Sequence, residues 1–141
     1  MFFNISRPDV WVATFEDRAG ALASKLEGLA EAGANLEFII ARRTSNPPGC
    51  GIVFVTPLSG EAQMRAAAEA GFHRTEKVAS LRVEAPDQPG LGYLVARALG
   101  AAGIDVRGVS AAVLGGRVTM FLAFDSPADA ERAVVRLNAP L

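Results

Sequence analysis

The sequence is poor in the residues from which most active sites are built. It has one cysteine, Cys50, and one histidine, His73. A single thiol excludes an intramolecular disulfide framework and fits a reducing compartment. No second histidine or cysteine stands at metal-ligand spacing from His73, so no zinc site is expected, and no catalytic residue stands out. Charge is sparse as well. Lys and Arg number 14 against 15 Asp and Glu, and the basic residues are scattered, so no stripe offers the counterion release on which nucleic-acid affinity rests. Apolar runs are all broken by Arg, Glu or Asp before the roughly 18 residues a membrane span needs. The first eight residues lack the basic start and apolar stretch of a signal peptide. A cytoplasmic protein that engages neither nucleic acid nor membrane is expected. Gly115-Gly116 lacks the further glycine, the lysine and the following helix of a phosphate loop and reads as a hairpin turn, which leaves no cofactor motif.

What the chain does have is apolar side chains, half of its residues, and a repeat. Asp17, Gly20, Leu29, Ala32 and Gly33 recur as Asp87, Gly90, Leu99, Ala102 and Gly103, each displaced by 87 − 17 = 70 positions. Asn35 over Asp105, Leu36 over Val106 and Ile39 over Val109 extend the match. A period of 70 exceeds the roughly 20–50 residues of solenoid repeats, so each copy is read as a small domain.

Alternation in residues 9–16, with Trp11, Ala13 and Phe15 on one face, predicts a strand. A turn over residues 17–20 follows. A helix with Leu22, Leu26, Leu29 and Ala30 on one face comes next, ended by Gly33 in the left-handed conformation. Strands are expected over 35–43 and 51–56, then a helix over about 60–70 capped by Ser59, and a fourth strand over 72–79. Copy two repeats the order with a strand over 80–85, a turn over 87–90, a helix over 91–102 and strands over 105–112 and 118–124. Its last helix is capped by Ser126, with Pro127 at its first position and Asp129 completing a capping box. Each copy reads as β-α-β-β-α-β, an α+β ferredoxin-like sandwich with two helices on one face of a four-stranded antiparallel sheet. The domains expected are residues 1–79 and 80–141. Copy two ends after its second helix, and the shift of 70 lays residues 2–9 over 72–79. Residues 2–6 are therefore expected to complete the sheet of copy two. The alternative is a frayed N-terminus with a second molecule covering that edge, a homodimer.

Two segments resemble a known family. Glu16-Asp17-Arg18-Ala19-Gly20-Ala21-Leu22 and Pro86-Asp87-Gln88-Pro89-Gly90-Leu91 each precede a helix, then Ala32-Gly33-Ala34-Asn35-Leu36 or Ala102-Gly103-Ile104-Asp105-Val106. This pattern is similar to that of ACT domains, in which Asp-Arg-Pro-Gly leads into a helix and Ala-Gly-Ile-Asn into the second strand. The layout resembles stand-alone bacterial proteins of two ACT domains. Ala19 departs from the family's proline, and Gly92 stands where copy one has Leu22.

The resemblance implies that a free amino acid binds where two ACT units meet, near the first turn and the start of the second strand. The ligand-binding residues it implies are Asp17, Gly20, Ala21 and Asn35 in copy one and Asp87, Gly90, Leu91, Gly92 and Asp105 in copy two. Backbone N–H groups at a helix N-terminus suit a carboxylate, and Asp17, Asp87, Asn35 and Asp105 would accept from an ammonium group. The plain alternatives are helix caps for the aspartates, strand-opening turn residues for Asn35 and Asp105, and accommodation of Tyr93 for Gly92. Cys50 reads as inert, His73 as an ordinary strand residue, and Arg42 and Arg43 as a solvated edge or an anion contact.

The function this implies is that of a non-catalytic regulatory or sensor module for a small amino acid, with a metabolic enzyme as partner. Two alternatives belong to other classes: an interaction module that regulates an enzyme without a ligand of its own, and a small enzyme on the same sandwich.

Overall fold

The computed structural model describes residues 2–75 and 79–141. In chain order its elements are β1 (Asn4–Ser6), β2 (Trp11–Glu16), α1 (Ala21–Glu31), β3 (Phe38–Thr44), β4 (Cys50–Thr56), α2 (Glu61–Glu69), β5 (His73–Arg74), β6 (Ala79–Pro86), α3 (Leu91–Ala101), β7 (Gly108–Leu114), β8 (Arg117–Phe124) and α4 (Pro127–Asn138). They divide into two compact units, Asp9–Thr75 and Met1–Pro8 with Glu76–Leu141.

The first unit has a sheet in the order β3-β4-β2-β5, antiparallel throughout, with Trp11 opposite Val55 and Phe38 opposite Thr56. Period-2 alternation turns Trp11 and Ala13 of β2 and Val53 and Val55 of β4 toward Leu29 of α1 and Ala67 of α2, and these form the core with Leu58 and Phe72. The second unit has the order β1-β6-β8-β7. Its β8 alternates cleanly, with Val118, Met120, Leu122 and Phe124 buried against Leu91, Val95 and Leu99 of α3 and Ala130, Ala133 and Leu137 of α4. Each fully buried Leu or Phe contributes about 1.5–3 kcal/mol. In both units two helices share a core with one sheet face, the expected α+β ferredoxin-like arrangement.

A short strand occupies the same outer place in each sheet. β5 lies beside β2 through the pairs Trp11–Arg74 and Val12–His73, and β1 lies beside β6 through Asn4–Glu84, Ile5–Val83 and Ser6–Arg82. Phe3 is buried in the core of the second unit, and Arg7 forms an ion pair with Glu131 of α4.

Several local expectations are corrected. The strands expected from Asn35 and Asp105 begin at Phe38 and Gly108. After each helix the chain must first cross back to the sheet. It does so through Gly33 at φ 82° and Gly103 at φ 71°, with the N–H of Ala34 donating to Leu29 and that of Ile104 to Leu99, both at 3.0 Å. Ala30 is exposed rather than on the core face. Ser59 does not cap α2. Gly60 holds the N-cap position without a side-chain bond, and the Gln63 side chain reaches back to accept from the Ser59 N–H at 2.9 Å. Of the strand expected over 72–79, His73–Arg74 is observed, and residues 76–78 lie outside the described residues. The Ser126 cap is present, its hydroxyl oxygen accepting from the Asp129 N–H at 3.2 Å, but the Asp129 carboxylate pairs with Arg132 at 3.2 Å and does not close the reciprocal half of the expected capping box.

Candidate ligand-binding turns

Both strand-to-helix turns are held by the same device. The N–H of Asp17 donates to the carbonyl of Gly49 at 3.0 Å, and the N–H of Asp87 to that of Gly116 at 2.9 Å. Each turn is thereby tied to the tip of the hairpin that follows its helix, β3–β4 or β7–β8. The tip glycines that supply these carbonyls, Gly49 at φ 73° and Gly116 at φ 77°, are site elements that the sequence reading missed. The signal for them was a glycine at the end of each hairpin.

Gly20 at φ 85° and Gly90 at φ 78° are the N-cap residues of α1 and α3, and neither helix receives a side-chain cap. The aspartates therefore do not cap. The first helical N–H of each helix, that of Ala21 or Leu91, turns back to the carbonyl of Arg18 at 3.2 Å or Gln88 at 3.4 Å. The N–H groups of Leu22 and Ala23, and of Gly92 and Tyr93, meet no protein acceptor among the described residues. They lie in the first turn of each helix, where the positive end of the helix dipole adds to them. A Cβ built on Gly20, Gly90 or Gly92 would meet no heavy atom within 4 Å, so the approach to both turns is open. Ala21 and Leu91, 6% and 3% exposed, turn their side chains into the cores, and only their backbones belong to the turns.

The carboxylates differ. Asp17 is paired with Arg43 of β3, Nε to Oδ2 at 2.8 Å, and beside it Glu16 is paired with Arg18 at 2.6 Å. Asp87 is exposed and has no ion-pair or hydrogen-bond partner for its side chain among the described residues.

Asn35 and Asp105 do not join these turns within their own units. Glu16 lies opposite Cys50, whereas Phe38, just after Asn35, lies opposite Thr56. Asp17 and Asn35 thus sit at opposite ends of β4, six residue steps apart, or roughly 20 Å at about 3.3 Å per step. Asp87 and Asp105 are separated in the same way, since Pro86 pairs with Arg117 and Gly108 with Ala123.

The remaining candidates are scattered. His73 is exposed on the edge strand β5, Cys50 is half-buried at the start of β4, and Arg42 is exposed. Arg74 lies over the ring of Trp11 at 5.6 Å. Among the described residues no three His, Cys, Asp or Glu side chains gather as a metal site, and no helix is long and apolar enough to cross a membrane.

Fold and register place the chain in a class: two ferredoxin-like βαββαβ units in tandem. It is similar in structure to protein BT0572 from Bacteroides thetaiotaomicron, with a TM-score of 0.75 and 16% identity over 94% of this chain and 86% of that one. It is also similar to the regulatory subunit of aspartate kinase from Thermus thermophilus in its ligand-free form, with a TM-score of 0.65 and 15% identity over 96% and 93% of the two chains. A third similarity is to E. coli aspartokinase III in complex with aspartate and ADP, with a TM-score of 0.58 and 16% identity over 96% of this chain and 32% of that one. At these identities the likeness is one of fold. No family model and no curated protein sequence matches the chain.

Proposed function

We propose that this protein is a non-catalytic regulatory or sensor protein whose ACT-type units bind a small amino acid and convey its presence to a metabolic enzyme. The observation that supports this most directly is the turn at Gly90. Helix N-terminal N–H groups and a carboxylate, none with a partner among the described residues, stand there on an unobstructed backbone, in the same sequence frame as the turn at Gly20. An α-carboxylate accepts from the N–H groups of Gly92 and Tyr93, where the helix dipole favours negative charge. The α-ammonium donates to the Asp87 carboxylate, a charge-assisted bond stronger than a neutral one. The ferredoxin-like fold shared with a subunit named as regulatory in aspartate kinase supports the regulatory half of the reading. The exposure of His73 on the edge strand β5 is in keeping with binding rather than turnover.

Calorimetric titration with each standard L-amino acid tests the proposal. Saturable heat from one or a few of them is expected. Flat titrations for all of them, on a sample whose cooperative melting shows it to be folded, would overturn the proposal.

A further inference from the structure

Resting on that reading, we infer that Arg43 is a built-in competitor for the ligand's ammonium group, so that the two turns fill in order, the second before the first. Its guanidinium stands 2.8 Å from Asp17, on the carboxylate that would receive an ammonium donor. The pair forms because the sheet brings it together. Arg43 pairs with Gly51 and Phe15 also pairs with Gly51, so Arg43 lies level with the end of β2 from which Asp17 projects.

Among the described residues of the second unit no cation pairs with Asp87. The shift of 70 lays Val113 over Arg43, and β7 carries no charged residue along Gly108–Leu114. Arg117, opposite Pro86 in the register, makes no ion pair with Asp87. Gln88 stands where Arg18 stands in the first unit, so the neighbouring pair to Glu16 has no counterpart either.

A ligand reaching the first turn must displace a tethered cation and then sit beside it, whereas a ligand at the second turn does neither. The Arg43 side chain is 85% exposed, which keeps the effect moderate. Exposed pairs of this kind correspond to about 1.4–5-fold in an equilibrium constant. The first turn is thus weakened rather than abolished, and one chain covers a wider range of ligand concentration than two equal sites would.

Site-resolved NMR titration with the standard L-amino acids, one at a time, tests this. Amides of Gly20, Leu22 and Ala23 report the first turn, and those of Gly90, Gly92 and Tyr93 the second. In the unmodified protein the second set is expected to saturate at about 2–5-fold lower concentration. Arg43→Gln should bring the first set to within about twofold of the second without moving the second, and Arg43→Lys, which keeps the charge, should leave the first turn weak. Equal affinities in the unmodified protein, or weaker first-turn binding in Arg43→Gln, would overturn the inference while leaving amino-acid binding intact. Silence of both sets, in all three proteins, would overturn the binding proposal and this inference with it.

Discussion

Gly51 shows how one residue sets local geometry. It lies across from Phe15 on β2, and the ring of Phe15 covers it so closely that any Cβ there would collide with the ring atoms. Gly51→Val is therefore expected to destabilise the first unit by about 1–3 kcal/mol, the usual cost of overpacking. Chemical denaturation would measure it, and combining the change with Phe15→Ala should return part of the loss. Gly90 is the opposite case, since its surroundings are empty and only its positive φ of 78° matters. Gly90→Val should cost about 1–2 kcal/mol in backbone strain, leave the protein folded, and remove binding at the second turn alone. A variant that folds and binds with unchanged stoichiometry would refute the role given to that turn. Asp87→Ala should weaken binding more than Asp17→Ala, because Asp17 is already engaged by Arg43. The site was legible at this scale only where its parts are contiguous. Residues 17–20 and 87–90 announce a turn and a helix start by themselves. The Arg43–Asp17 pair arises from the register of β3, β4 and β2, and no pattern along the chain carries that information.

Helix ends separate the elements that sequence describes well from those it does not. Ser126, Pro127 and Asp129 use only local geometry, and the cap they announce is there. Ser59 offers the same kind of signal and does not cap. Gly60 takes the N-cap position at φ 83°, and the Gln63 side chain accepts from the N–H of Ser59, so α2 starts without a side-chain cap. The C-terminal ends are closed by neighbours distant in sequence. Lys25 of α1 donates to the carbonyl of Ala70 after α2 at 2.8 Å, and Arg132 of α4 donates to that of Ala102 after α3 at 2.7 Å. In each unit one helix thus places a cation where its partner's dipole is negative. Ser126→Ala should cost about 1 kcal/mol. Lys25→Met keeps the length of the side chain but removes the donor, and should cost about 0.5–1.5 kcal/mol, with faster amide exchange in the last turn of α2. No loss in either variant would show that these contacts add nothing net to solvent exposure of the same groups.

At the scale of the whole molecule, the two sheets differ in how their outermost short strand is supplied. β5 follows α2 directly, whereas β1 opens the chain and joins the second unit, leaving residues 7–10 to lead into the first. The second unit is therefore finished by a segment distant in sequence from its other strands, a non-local pairing that is slow to form. Three features hold that strand: the ladder of Asn4–Ser6 with β6, the ion pair of Arg7 with Glu131, and the burial of Phe3. Burial is the largest of them, because the two phenylalanines at this end differ sharply. Phe3 is 9% exposed and Phe2 is 95% exposed. Phe3→Ala should cost about 3 kcal/mol as a large-to-small change in a core, while Phe2→Ala should be close to neutral and serves as the control. Deleting residues 1–6 should lower stability by a similar amount. For a unit of this size each kcal/mol corresponds to roughly 4–8 °C in melting temperature. The deletion also bares the outer edge of β6, whose unpaired N–H and C=O groups invite another strand, so the truncated chain should self-associate as its concentration rises. Hydrogen exchange gives the residue-level readout, with protection expected in the monomer for those amides of Asn4–Ser6 that alternate toward β6. If those amides exchange at unfolded rates, or if deletion leaves the melting temperature unchanged, the N-terminal strand adds nothing to the stability of the second unit, and a second molecule covering the edge of β6 becomes the explanation to test.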